Sequence, residues 1–165
     1  MDIYRKNVAD AARRRSGNPI YSSSLDHAAV LAEAIFAHAT KDVCILCGKL
    51  NAVLYGRREV IEAATMFLST PGRTVSVLVD RPLEIDPSHH PFLERFATRS
   101  EVKIRVVPDE ERAPYHFFVG DGDCYRFDAD KQVHSSIAAF GDSAGGEHIS
   151  RIFNLMWDHA VVWPA

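Results

Sequence analysis

Apolar residues along the chain alternate between two spacings, and the alternation predicts the elements. Residues 3–15 read as a helix, ended by Ser16-Gly17-Asn18-Pro19. A polar stretch, Tyr21-Ser22-Ser23-Ser24, leads to a second helix with Ser23 or Ser24 as cap. Leu25, Ala28, Leu31, Ala32, Ile35, Phe36 and Ala39 form its buried stripe. Val43–Cys47 follows as a strand without a polar residue, as expected of one buried on both faces. The pattern then repeats. Residues 57–69 carry Val60, Ile61, Ala64, Phe67 and Leu68 on one helical face, Pro71-Gly72 breaks the chain, and Thr74–Val79 reads as a strand. A shorter helix lies between Pro87 and Ser100, and Val102–Val107 is a third strand. Three successive helix–strand units predict an α/β fold with a mixed, largely parallel sheet flanked by helices.

After Pro114 the texture changes. Two β-prone runs, Tyr115–Val119 and Asp123–Phe127, flank Gly120-Asp121-Gly122, a strong hairpin signal. Val133–Phe140 reads as one more strand. Gly141-Asp142-Ser143 opens a long last helix with Ile149, Ile152, Phe153, Met156, Trp157 and Ala160 inward.

With 165 residues, 47% of them hydrophobic, the chain is long enough for one well-buried domain. No apolar run approaches the ~18 residues that span a bilayer, and the start, Met1-Asp2-Ile3-Tyr4-Arg5-Lys6, has no signal-peptide core; a cytoplasmic protein without membrane contact is expected. The net charge of −3 is the wrong sign for a protein whose main work is gripping nucleic acid. Arg13-Arg14-Arg15 is the one dense basic run. A solvated helix C-terminus explains it better than a nucleic-acid contact, which stays open as a secondary role. Cys44 and Cys47 form a C-x-x-C, but residues three apart on a strand point to opposite faces, so core cysteines are expected rather than a redox or zinc pair.

The element order, with Tyr115-His116-Phe117-Phe118-Val119-Gly120-Asp121-Gly122 and then Ile137-Ala138-Ala139-Phe140, resembles a phospholipase D-like half-domain over residues 23–160. The resemblance implies a phospholipase D-like sandwich over 23–165, preceded by an N-terminal helical extension over 1–22. That family's motif is H-x-K-x4-D, with G-S-x-N further on. One His attacks phosphorus, a second protonates the leaving group, and Lys and Asn neutralise phosphate oxygens. Two copies of the motif must face each other.

By that resemblance His116 matches the nucleophile, and Phe118 stands where the lysine belongs. Asp123, or equally Asp121, matches the aspartate, and Ser136-Ile137-Ala138-Ala139 stands in place of G-S-x-N. An apolar ring cannot neutralise a phosphate oxygen, and one lost oxyanion donor removes about 2.7–4 kcal/mol of transition-state stabilisation. The expected role is therefore non-catalytic: a binding, regulatory or assembly module, as a homodimer or with a catalytic partner protein. The alternative is a divergent homodimeric phosphodiesterase or nuclease using His116 from each chain.

Open α/β sheets bind ligands at the carboxyl ends of their strands. This makes His116, Lys49, Asn51 and Arg81 the candidate ligand-binding residues, with Lys49 or Arg81 as substitute phosphate ligands; Asp80, Asp109 and Glu110 belong to the same set of loops. No cofactor and no metal site is expected. His89-His90 reads as a surface turn, Asp109-Glu110-Glu111 as a solvated acidic loop, and the Gly-rich Gly141–Gly146 as a helix cap.

Overall fold

The computed structural model describes residues 1–133 and 135–164. Helix α1 (Asp2–Arg14) ends at Arg15, whose positive φ of 50° turns the chain, and Gly17 continues the turn. Helix α2 (Leu25–His38) starts where Ser24 accepts the N–H of His27 at 3.1 Å, a cap worth about 1 kcal/mol. The helix–strand units expected from the pattern follow: β2 (Asp42–Cys47), α3 (Ala52–Tyr55) and α4 (Arg58–Leu68), β3 (Thr74–Val79), α5 (Pro91–Phe96) and β4 (Val102–Val106). The hairpin is β5 (His116–Gly120) and β6 (Cys124–Asp128); β7 (Ser136–Phe140) and α6 (Ser143–His159) close the body. Of the strand expected over 133–140, His134 lies outside the described residues.

Two short strands were not legible. Ile20–Ser22, overlapping the expected polar stretch at Tyr21 and Ser22, is β1, antiparallel to β7 with Ile20 opposite Ala138; Val161–Val162 is β8, antiparallel to β4. Both are too short to carry a period of their own and form because an exposed sheet edge offers them partners.

The sheet runs β1-β7-β6-β5-β2-β3-β4-β8. It is mixed, as expected, but its parallel share is smaller than the helix–strand repeat implies. Among the described residues β2–β3 and β3–β4 pair in parallel and the other pairs are antiparallel, because after β4 the chain returns to lay β5 antiparallel against β2, and β6 and β7 follow antiparallel beyond it.

Helices α1–α5 cover one face and α6 the other. Val8 and Ala12 of α1 are buried in the larger core with Ile35, Phe67, Phe92 and Phe118; Ile149 and Phe153 of α6 form the second core with Phe117 and Val119. Strand β5 thus feeds both layers by simple alternation. Cys44 packs with the second core and Cys47 with the first, so the C-x-x-C thiols diverge, and burial pushes both thiols up to about 12.

The hairpin turn uses positive φ at Asp121 (54°) and Gly122 (72°), with the N–H of Asp123 donating to Gly120 O at 3.2 Å. The Asp121 carboxylate accepts the N–H groups of Thr40 and Lys41 at 2.7 and 2.8 Å and so ties the turn to the start of β2. His90 corrects the surface-turn expectation: it is 3% exposed, donates through Nε2–H to the carbonyl of Leu50, and accepts the N–H of Leu93 to cap α5. Its neighbour His89 is exposed and pairs with Asp86. The Gly-rich segment caps α6 as expected, Asp142 accepting the N–H of Gly145 at 3.1 Å.

Gly141 has φ +86°, and a methyl group there would collide with the carbonyl of Arg15. Gly72 has a similar φ, +88°, but faces open space. Gly72→Ala is expected to lose about 1 kcal/mol in urea unfolding, the left-handed penalty alone. Gly141→Ala is expected to lose at least about 1 kcal/mol more, because overpacking adds to it; equal losses would show that the α1–α6 junction has slack.

Candidate functional site

A cleft of about 160 Å³ opens where β2 and β3 end and β5 begins. Lys49, Asn51, Arg81 and His116 all line it, so the four candidate residues from separate loops share one wall. A larger cavity of about 370 Å³ lies along the β4–β8 edge, lined by Val102, Ile104, Val162 and Trp163 with Lys103 and Arg105, away from these side chains.

Behind the cleft sits Asp80, at the end of β3, with 1% of its side chain exposed. His116 Nε2 lies 3.0 Å from its Oδ2, and Lys131 Nζ lies 3.1 Å from the same oxygen. Arg81 Nε is 3.8 Å from Oδ1. Burial alone would push the Asp80 carboxyl up, but hydrogen bonds and charge from His116 and Lys131 outweigh it and hold the group below its ordinary value. An ionised carboxylate only accepts, so His116 carries its proton on Nε2.

The remaining cations are paired as well. Arg81 also meets Glu84 at 3.3 Å, and Lys49 reaches the same carboxylate at 3.7 Å. Arg81 can lie across the end of β2 because Gly48 has no side chain; a methyl group there would strike the guanidinium. Arg126 donates from Nε to Ser136 Oγ at 3.1 Å and pairs with Asp128 at 2.9 Å. Asn51 uses its side-chain oxygen to accept the N–H of Val53 at 2.9 Å, starting α3.

Lys131 and Arg126 line the cleft and were missed in sequence. Arg126 left a signal: the hairpin register places it directly opposite Phe118, on the same face. Lys131, in the connection after β6, left none.

Phe118 is 2% exposed and packed edge-on to Phe36 (ring centroids 5.2 Å) and parallel to Tyr55 (6.2 Å). Asp121 and Asp123 sit at the far end of β5 from His116, where Asp123 pairs with Arg15. Arg13 pairs with Asp10. Ala138 and Ala139 are buried, and Ile137 is exposed. Asp109 and Glu110 are exposed and do not line the cleft; Asp109 pairs with Arg112 at 2.7 Å, and Glu111 with His159 at 3.0 Å.

A family model described as a domain of unknown function, DUF7931, matches residues 9–165. The chain belongs to this family. No curated protein sequence matches it. Solved structures show what this DUF7931 domain is similar to. Nuc of Salmonella typhimurium, described as a phospholipase D family member, aligns at TM-score 0.61 with 10% identity, over 90% of this chain and all of that one. NucT from Helicobacter pylori aligns at 0.63 with 9% identity, over 88% and 99%. TrmBL2, described as an archaeal chromatin protein with a novel mode of DNA binding, aligns at 0.64 with 12% identity over 98% of this chain, which spans 60% of that protein. The DUF7931 domain therefore has a phospholipase D-like fold. No helix among the described residues is long and apolar enough to cross a membrane, and no group of three or more His, Cys, Asp or Glu among them is placed to hold a metal ion.

The depressed Asp80 carboxyl links the cleft to stability. A carboxylate whose folded pKa lies below its unfolded value of about 3.9 stabilises the fold above that value. The contribution fades as pH falls through the folded value. Asp80→Asn is therefore expected to be less stable than the parent near pH 7 in urea unfolding, with the gap narrowing below about pH 4. A gap independent of pH would show that Asp80 does not act through its charge.

Proposed function

We propose that the DUF7931 domain is a non-catalytic phospholipase D-like module that serves binding, regulation or assembly through the cleft at His116. The observation that carries this reading is what surrounds the histidine. Its Nε2 is closed onto a buried carboxylate. The residue two positions on, Phe118, is locked in the core on the same face, where the resemblance calls for a lysine. A histidine with its outer nitrogen protonated and held by Asp80 is not presented to phosphorus, and no lysine from β5 neutralises the oxygens. In this reading the module works as a homodimer or beside a catalytic partner protein, in the cytoplasm.

The second reading, a divergent phosphodiesterase, draws support from the cations gathered on the cleft, Lys131 and Arg126 above all. A nucleic-acid contact through Arg13–Arg15 draws less support, because Arg13 and Arg15 are engaged by Asp10 and Asp123. Hydrolysis of bis-p-nitrophenyl phosphate in the presence of a chelator separates the first two readings. No turnover above buffer is expected from the wild-type domain. Metal-independent turnover that disappears in His116→Ala would overturn the non-catalytic reading.

A further inference from the structure

We propose that the outer edge of β4 is a docking site for an extended segment of a partner protein in which apolar and acidic residues alternate, and that β8 is its placeholder. The site lies away from the His116 cleft and stands or falls independently of the reading given to that cleft.

The edge is built for pairing and little used. The Val107 N–H donates to Val79 O at 2.9 Å, so the odd-numbered residues turn their peptide groups to β3, and Val102, Ile104 and Val106 turn theirs outward. β8 pairs opposite Arg105 and Val106, and one further bond, from Trp163 N–H to Ile104 O at 3.1 Å, continues it. The Ile104 N–H and the Val102 carbonyl lie beyond the pairs that β8 makes. Val161 and Val162 are 61% and 73% exposed, so β8 adds two ladder pairs and little burial. A strand this short holds its edge weakly, and a longer one gains hydrogen bonds along the whole of it.

The side chains of β4 select what the longer strand carries. On one face Val102 and Ile104, with Ala97 and Trp163, wall the cavity of about 370 Å³ beside this edge. Added residues opposite Val102 and Ile104 would point into that cavity, where apolar side chains are favoured. The other face carries Lys103 and Arg105. Arg105 is committed to α6, with Nη1 donating to Trp157 O at 2.9 Å and the guanidinium 4.4 Å from the Trp157 ring centroid. Lys103 is exposed and makes no ion pair among the described residues, so a carboxylate is the fitting residue opposite it. A second copy of this chain is the wrong occupant. Antiparallel pairing of β4 with its own copy, centred on Lys103 or on Ile104, sets Lys103 against Lys103 or against Arg105, and like charges directly opposite repel.

The test titrates the full chain into two labelled, capped peptides, one alternating valine with glutamate and one alternating valine with lysine, and reads fluorescence anisotropy. The glutamate peptide is expected to bind about fivefold more tightly or better. The net charge of −3 by itself favours the lysine peptide, so this preference reports the edge rather than the whole molecule. Lys103→Glu is expected to reverse the preference and Lys103→Gln to erase it. A peptide added to the opposite edge strand, β1, would not sense residue 103. Val161→Pro takes a backbone N–H from β8 and is expected to bind the glutamate peptide about threefold more tightly than wild type, because the placeholder is loosened. Absence of binding in both wild type and Val161→Pro, equal binding of the two peptides, or a preference unchanged in Lys103→Glu would overturn the site. Binding no tighter in Val161→Pro would overturn the placeholder role. Dimerisation of Val161→Pro without peptide, read by sedimentation, would overturn the choice of occupant in favour of a second copy.

Discussion

A carboxylate almost entirely removed from water stays charged only when cations and donors replace its hydration shell. Asp80 is such a group: its Oδ2 accepts from His116 and Lys131, while its Oδ1 has no hydrogen-bond partner among the described residues and meets the charge of Arg81 at 3.8 Å. Three pieces of chain answer it: His116 from the start of β5, Lys131 from the connection after β6, and its own neighbour Arg81. The carboxylate sets where the histidine points, which of its nitrogens carries the proton, and where the lysine rests. Breaking one such partner leaves a buried charge uncompensated, which is far more harmful than losing a surface pair.

The same strand that carries His116 explains why its polar side chain is confined to its first residue. β5 lies between β2 and β6 with helices over both faces. One step into the strand, Phe117 meets Phe153 of α6; the next, Phe118, meets Phe36 and Tyr55 on the opposite side. A charged residue at 118 would need a cation-sized gap among packed rings, whereas His116 sits at the rim with 13% of its side chain exposed. The positive charge that β5 lacks is supplied from outside it, by Arg126 across the hairpin and by Lys131 beyond β6.

Much of this was legible from residue pattern. The helix–strand units, the Asp121-Gly122 turn, the diverging thiols of Cys44 and Cys47 and the cap at Asp142 all follow from local periodicity, which burial in one domain enforces. The candidates Lys49, Asn51, Arg81 and His116 fell on one cleft because ends of neighbouring strands are neighbours in space. What escaped was non-local. Edge strands β1 and β8 exist only through their partners, and His90 looked like surface because nothing near it in sequence announces the Leu50 carbonyl it meets. The direction of β5 relative to β2 is a choice of path, to which side-chain periodicity is blind.

By itself, then, the sequence determined the class of fold, the order of its elements and the absence of a lysine two residues after His116, because these depend on spacing along the chain. Tertiary structure alone decided that Asp80 is buried, that His116 closes onto it, and that Lys131, fifteen residues further on, shares the same oxygen. The reason is physical: a buried charge selects its partners by distance in space, and that distance is set by how the sheet is threaded, which no local pattern encodes.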